Sequence, residues 1–154
     1  MIQRIQSLYL FIVAVLASLA LFGGWSFYSA EGSKTAALSY VSSVVDGVRI
    51  TEVFSMLLLA AVMLLPLIII FLFKNRLLQL RLCWMLMALV VLMAIMAFLR
   101  YRHLSAQLLE QTGVEGRIGF LFLFPLLMLV FIALAMRGIW KDEDLVRGMD
   151  RLRS

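Results

Sequence analysis

Few residues in this chain could do chemistry, and they stand far apart. The one histidine, His103, is followed by Glu110 and Glu115, seven and then five residues on. Metal sites and metal-assisted hydrolases use closer, paired ligand spacings, and this trio matches none of them. Its plain reading is an exposed histidine with two solvated carboxylates. Cys83 is the single cysteine, so it has no disulfide partner within the chain and no second thiolate for a metal or a redox motif. It reads as a small packing residue. No serine or cysteine has a base close by in sequence, as a nucleophile would need. No glycine-rich phosphate loop occurs, and Gly23-Gly24 reads as a helix end. What remains is charge in two clusters. One is Lys74, Arg76 and Arg81; the other is Asp142, Glu143, Asp144, Arg147, Asp150 and Arg151. The first reads most plainly as a topology signal that can also meet anionic headgroups; the second could lie on the membrane, pack under the bundle or engage another protein. The expectation is a chain that is not an enzyme, with no cofactor, no metal and this candidate interaction surface.

The elements that carry these residues are set by composition. Of 154 residues, 64% are hydrophobic and 15% charged, and the mean hydropathy is +1.04. An ordinary globular domain is about 45–50% apolar and about 25% charged. With one Cys, two Pro and nine Gly, the chain is not disordered, fibrous or a disulfide scaffold. The solvent implied is lipid. A helix needs about 20 apolar residues to cross about 30 Å of hydrocarbon. Four stretches approach that length, with spans expected at about 5–27, 53–73, 80–101 and 118–138. Their apolar runs are continuous, without the alternation of barrel strands, so helices are expected.

Six of the seven Trp and Tyr residues fall near span ends: Tyr9, Trp84 and Trp140 at one set, Trp25, Tyr28 and Tyr101 at the other. Amphipathic rings favour the membrane–water interface. Lys and Arg set the orientation. Arg4, Lys74, Arg76, Arg81, Arg137, Lys141, Arg147, Arg151 and Arg153 lie on one side; Lys34, Arg49, Arg100, Arg102 and Arg117 lie on the other. The excess places both termini in the cytoplasm. Arg100 and Arg102 dissent from that rule and are expected to snorkel to headgroups. The first stretch also has signal-peptide features, Arg4 followed by small Ala17, Ser18 and Ala20. Its length and bulky Phe22 and Trp25 favour a retained span, and a three-span product would still end inside. The net charge of +5 is spread over membrane flanks, which speaks for lipid and topology and against nucleic acid.

The external loop, 28–52, holds Asp46-Gly47 between the β-prone runs 38–45 and 48–50. That pattern predicts a two-stranded flap, which must rest on headgroups, on the third loop or on a partner. As a tether it would simply space two helices. Segment 102–112 is expected to prolong the third helix, ending near Thr112-Gly113. The tail, 141–154, has Leu145, Met149 and Leu152 on one stripe and Glu143 four residues before Arg147. It predicts a short amphipathic helix at the cytoplasmic face. Ala14 with Ser18, Ala20 with Gly24, Ala94 with Ala97, and Gly119 with Ala133 and Ala135 offer small-residue contact faces. Pro66 and Pro125 fall within the second and fourth spans and are expected to kink them.

Three blocks carry a family resemblance: Met1 to Leu10, Phe71 to Cys83, and Ala135 to Arg153. Together they resemble domain of unknown function 4293, a family of small four-helix membrane proteins of Bacteroidota-type bacteria. The charged third block is the most specific. The resemblance implies an inner-membrane protein with four helices, and no activity, cofactor or catalytic residue comes with it. Both charged blocks fall on the expected cytoplasmic side, where Asp142, Glu143, Asp144 or Asp150 would pair with Arg76 or Arg81.

The reading is an all-α, integral membrane four-helix bundle with a small extracytoplasmic hairpin and a cytoplasmic tail helix, forming one domain. Its partners are the lipid bilayer and either another membrane protein or further copies of itself. The expected role is a non-enzymatic accessory or scaffold subunit of a membrane assembly; the alternative is a component of an oligomeric transporter or channel. A lipid-modifying enzyme would need polar groups converging at one interface, such as His103 with Glu110 or Glu115.

Overall fold

A computed structural model describes residues 2–29, 35–45, 48–72, 75–112 and 117–153. Helix α1 (Ile2–Phe22) leads into β1 (Gly24–Ser29), β2 (Thr35–Ser39), β3 (Ser42–Val45) and β4 (Val48–Thr51). Helices α2 (Val53–Phe71) and α3 (Arg76–Thr112) follow. Strand β5 (Arg117–Ile118) and a 3₁₀ turn (Phe120–Leu123) precede α4 (Phe124–Arg153). Stretches Ile5–Phe22, Val53–Phe71, Arg76–Gln107 and Phe124–Glu143 are each long and apolar enough to cross a membrane.

Each helix packs against two others, closing a ring in which α1 meets α2 and α4, and α3 meets α2 and α4. The inward positions follow one rule. Buried residues recur at alternating three- and four-residue steps: Leu10, Val13, Ala17, Ala20 in α1; Leu59, Val62, Pro66, Ile69 in α2; Cys83, Leu86, Val90, Met93, Ala97 in α3; Met128, Ile132, Ala135, Ile139 in α4. This is the 3.5-residue spacing of a knobs-into-holes seam. Small Ala14, Ala17 and Ala20 let α1 approach its neighbours closely. Ala135 does the same on α4, whereas Ala133 faces outward.

The sheet is the main departure from the expected all-α chain. It has five antiparallel strands in the order β4-β3-β2-β1-β5. Gly23-Gly24 ends α1 before residues 25–27, which were expected to finish the first span, and that β-prone segment becomes β1. The run 38–45, expected as one strand, is split. The Ser39 hydroxyl accepts the Ser42 N–H (3.0 Å) and turns the chain at Tyr40-Val41. The expected pairing across Asp46-Gly47 does occur, with Val45 opposite Val48; the two turn residues lie outside those described. An isolated hairpin is marginal, and here it is enlarged instead of left as a flap. Strand β1 pairs with β5, so the α1–α2 connection is stitched to the α3–α4 connection.

Of three further expectations, one holds and two change. Helix α3 does run on to Thr112; at 37 residues it is about 55 Å long. The tail is not a separate helix, because α4 continues unbroken from Phe124 to Arg153; the segment has good helix formers and no breaker strong enough to end it. Pro125 does not kink a span. It sits in the first turn of α4, where its missing N–H would have no partner anyway. Pro66 lies inside α2 and is buried.

Candidate functional site

The inward seams end in polar residues, and these form two clamps. At the end carrying both termini, the three-and-four rule continues from the apolar core to Gln6 on α1, Gln79 on α3 and Asp142 on α4, all buried. The Gln6 side-chain amide donates to Asp142 Oδ2 (2.8 Å). Arg76, the first residue of α3, donates from Nη1 to the Asp142 carbonyl oxygen (2.6 Å). Gln79 donates from Nε2 to the Ile69 carbonyl of α2 (2.9 Å). Each bond satisfies a buried polar group, and together they link α1 to α4, α3 to α4, and α2 to α3. Gly138 makes the first of them possible. A Cβ there would lie 2.7 Å from Gln6 Cγ, so only glycine lets Gln6 lie flat against α4.

Between these groups is a gap of about 20 Å³ lined by Gln6, Ser7, Arg76, Gln79 and Asp142. That is room for a single water and nothing larger. The arrangement holds helices together.

Of the charged residues singled out by sequence, Arg76 and Asp142 come together here, though through the Asp142 main chain. The Asp142 carboxylate is taken by Gln6, a residue that charge-based reasoning passes over. Arg81 is exposed on α3 and Glu143 is partly buried. Asp144, Arg147, Asp150 and Arg151 lie along the last turns of α4, and Lys74 is outside the described residues.

The opposite clamp lies under the sheet. Glu52 precedes α2; its N–H donates to the Val41 carbonyl (3.0 Å), and its own carbonyl accepts from Met56 N–H (3.0 Å). Its carboxylate accepts from the Ser55 hydroxyl (3.0 Å) and pairs with Arg100 Nε (3.2 Å). Arg100 Nη1 donates to the Tyr40 carbonyl (2.9 Å). Arg100 therefore does not snorkel outward as expected. It continues the inward seam of α3 three residues beyond Ala97, and an available carboxylate and carbonyl turn it inward. Its remaining nitrogen, Nη2, is buried with no acceptor among the described residues. Tyr40 is itself buried, and burial pushes its phenol well above the usual range.

His103 and Gln107 are exposed on α3, with their Nε2 atoms 3.2 Å apart. Glu110 is exposed one further turn along α3, and Glu115 lies outside the described residues. Among the described residues, no three His, Cys, Asp or Glu side chains are grouped to hold a metal ion. Gln6, Gln79, Gly138 and the Arg100–Glu52 pair are the residues that the sequence reading missed. Their signal was positional, since each polar member of a seam keeps the core's three-and-four register.

No curated protein matches the chain. A family model described as Domain of unknown function (DUF4293) matches residues 2–152, which takes in all four helices, the sheet and both clamps. The chain belongs to that family.

Proposed function

We propose that this is an integral membrane four-helix bundle of the bacterial inner membrane, with both termini cytoplasmic, serving as a non-enzymatic accessory or scaffold subunit of a membrane assembly. The observation that carries membrane insertion is the outer face of the helices. Only 28–39% of each apolar spanning window is buried. The remainder presents large side chains outward, such as Leu8, Phe11, Val15 and Leu19 on α1 or Leu57, Leu64 and Ile68 on α2. Water would not tolerate an apolar surface on that scale; lipid would.

The accessory role is supported by where polar groups sit. The bonds of both clamps join helices to one another or to the sheet, and the seam between them is filled by Val13, Val62, Val90, Met128 and Ile132. This packing favours a scaffold over a path for solutes through one copy. Helix α4 meanwhile runs past its apolar window, with Leu145 exposed, and projects a charged helix for a partner in the membrane or cytoplasm. The test is purification of the full chain in a mild detergent after crosslinking in cells. The reading expects a defined higher-mass species that is lost on Leu145→Glu. A lone monomer, unaffected by that substitution, would overturn it.

A further inference from the structure

The sheet does not lie flush against α3. Between them is a cleft of about 440 Å³, within the range of small-molecule and cofactor sites. Its apolar wall comes from Leu38 and Ile50 of the sheet and Leu99 and Leu104 of α3. Its polar wall is Arg100 with Glu52 and Ser43, flanked by His103 and Gln107. These α3 residues recur at three- and four-residue steps and so share one face. Leu99 and Ile50 are more than half exposed, so the apolar wall is open to the surroundings.

We propose that this cleft holds one ester-linked lipid of the surrounding bilayer, an inference that rests on the membrane reading above. One acyl chain lies along Ile50, Leu99 and Leu104 above buried Leu38, and the glycerol-ester end faces Arg100. Two observations choose this occupant. The cleft lies at the sheet-side end of the apolar window of α3, which closes at Gln107, and that is the depth at which a lipid changes from chain to ester. The guanidinium also wants one more acceptor. Arg100 is already charge-balanced by Glu52 at 3.2 Å, and Nη2 is buried with no acceptor among the described residues. A buried donor left unmade is costly. A neutral carbonyl oxygen supplies that bond without bringing a second negative charge beside Glu52. His103 and Gln107 stand at the mouth, where they meet headgroup oxygens. Recognition is therefore through the ester and chain, and the headgroup's charge matters little.

The test uses the full-length protein in phosphatidylethanolamine vesicles containing a small fraction of phosphatidylcholine or phosphatidylglycerol. Each probe lipid bears a photoactivatable diazirine near the ester end of one chain, and crosslinked residues are mapped by mass spectrometry. The proposal expects label on the sheet around Ile50 and on α3 around Leu99 and Leu104, at similar yield from both probes. Leu104→Trp, which fills the cleft, removes that label while leaving label at Leu19, on the outer face of α1 one turn from its sheet-side end. Gln107→Trp, at an exposed position where folding is not at stake, narrows the mouth and lowers the same label. Label at Leu19 with none in the cleft would overturn the lipid site alone. Cleft label unchanged by both variants, or label from phosphatidylglycerol only, would also overturn it. Absence of label at Leu19 as well would overturn the membrane reading and the site with it.

Discussion

Adding one methyl group at Gly138 should destabilise the protein, and the same methyl should stabilise it once Gln6 is shortened. A Cβ at Gly138 would stand 2.7 Å from Gln6 Cγ, against at least 3.4 Å for ordinary contact. Gln6 must retreat by about 0.7 Å, which stretches its 2.8 Å bond to Asp142 to about 3.5 Å, the limit of a hydrogen bond. A buried carboxylate deprived of a donor costs about 1.5–3 kcal/mol. Alanine in place of glycine within a helix returns about 1 kcal/mol. Gly138→Ala should therefore lose about 0.5–2 kcal/mol in the native background. In Gln6→Ala the steric conflict and the bond are both absent, so the same change should gain about 1 kcal/mol. Cys83 supplies the readout. It is the single cysteine and fully buried, so a fluorogenic maleimide reacts with it as the protein unfolds. The melting midpoint in detergent should move by roughly 2–4 °C per kcal/mol. If Gly138→Ala shifts the midpoint equally and in the same direction in both backgrounds, Gln6 is not what the glycine accommodates, and the clamp argument fails.

Other outcomes follow from the same structure. Glu52→Ala should lower stability by about 1–2 kcal/mol in the same melt, less than for a fully buried pair because Glu52 is 43% exposed. Pairing it with Arg100→Met should recover part of the loss, since the uncompensated cation is then gone. Pro125→Ala should change stability by less than about 1 kcal/mol in that melt, because this proline sits in the first turn of α4, where it breaks no helical hydrogen bond. Alkali should act through Tyr40. Burial raises its folded-state phenol above the unfolded value of about 10. Its neutral form is then favoured by folding below pH about 10, and that contribution is lost as pH rises beyond it. Tyr40→Phe should flatten the fall in melting midpoint between about pH 9.5 and 11.

How much of this could be read from the sequence depends on the kind of signal. Four uncharged runs specify four helices because backbone in an apolar phase has few other solutions. Gly23-Gly24 and Thr112-Gly113 mark helix ends by the same local chemistry that makes glycine a stop signal. Residues 25–29 were harder, because a short apolar run at a span's end reads equally as helix or strand. Pairing decides it, with β2 along most of its length and with the distant Arg117-Ile118 on the other edge. Pro125 was placed mid-span because the apolar run begins before it, whereas helix α4 begins at Phe124. In the clamps, charge reasoning brings Asp142 toward Arg76 but assigns the bond to the wrong atom. The carboxylate oxygen meets Gln6, while Arg76 reaches the main-chain carbonyl of the same residue. Arg100 was taken for a snorkelling cation because its loop-side acceptors, the Glu52 carboxylate and the Tyr40 carbonyl, become neighbours only after the sheet has formed.

The account depends most on the helices crossing the membrane with both chain ends on the inner side. Site-directed labelling tests this directly in a Cys83→Ser background. One cysteine replaces exposed Ala106 near the sheet end of α3, and another, in a separate variant, replaces exposed Lys141 on α4. With a membrane-impermeant maleimide on intact spheroplasts, the account predicts that position 106 is labelled at once and position 141 only after permeabilisation. Labelling of both from outside, or of 141 alone, would contradict it.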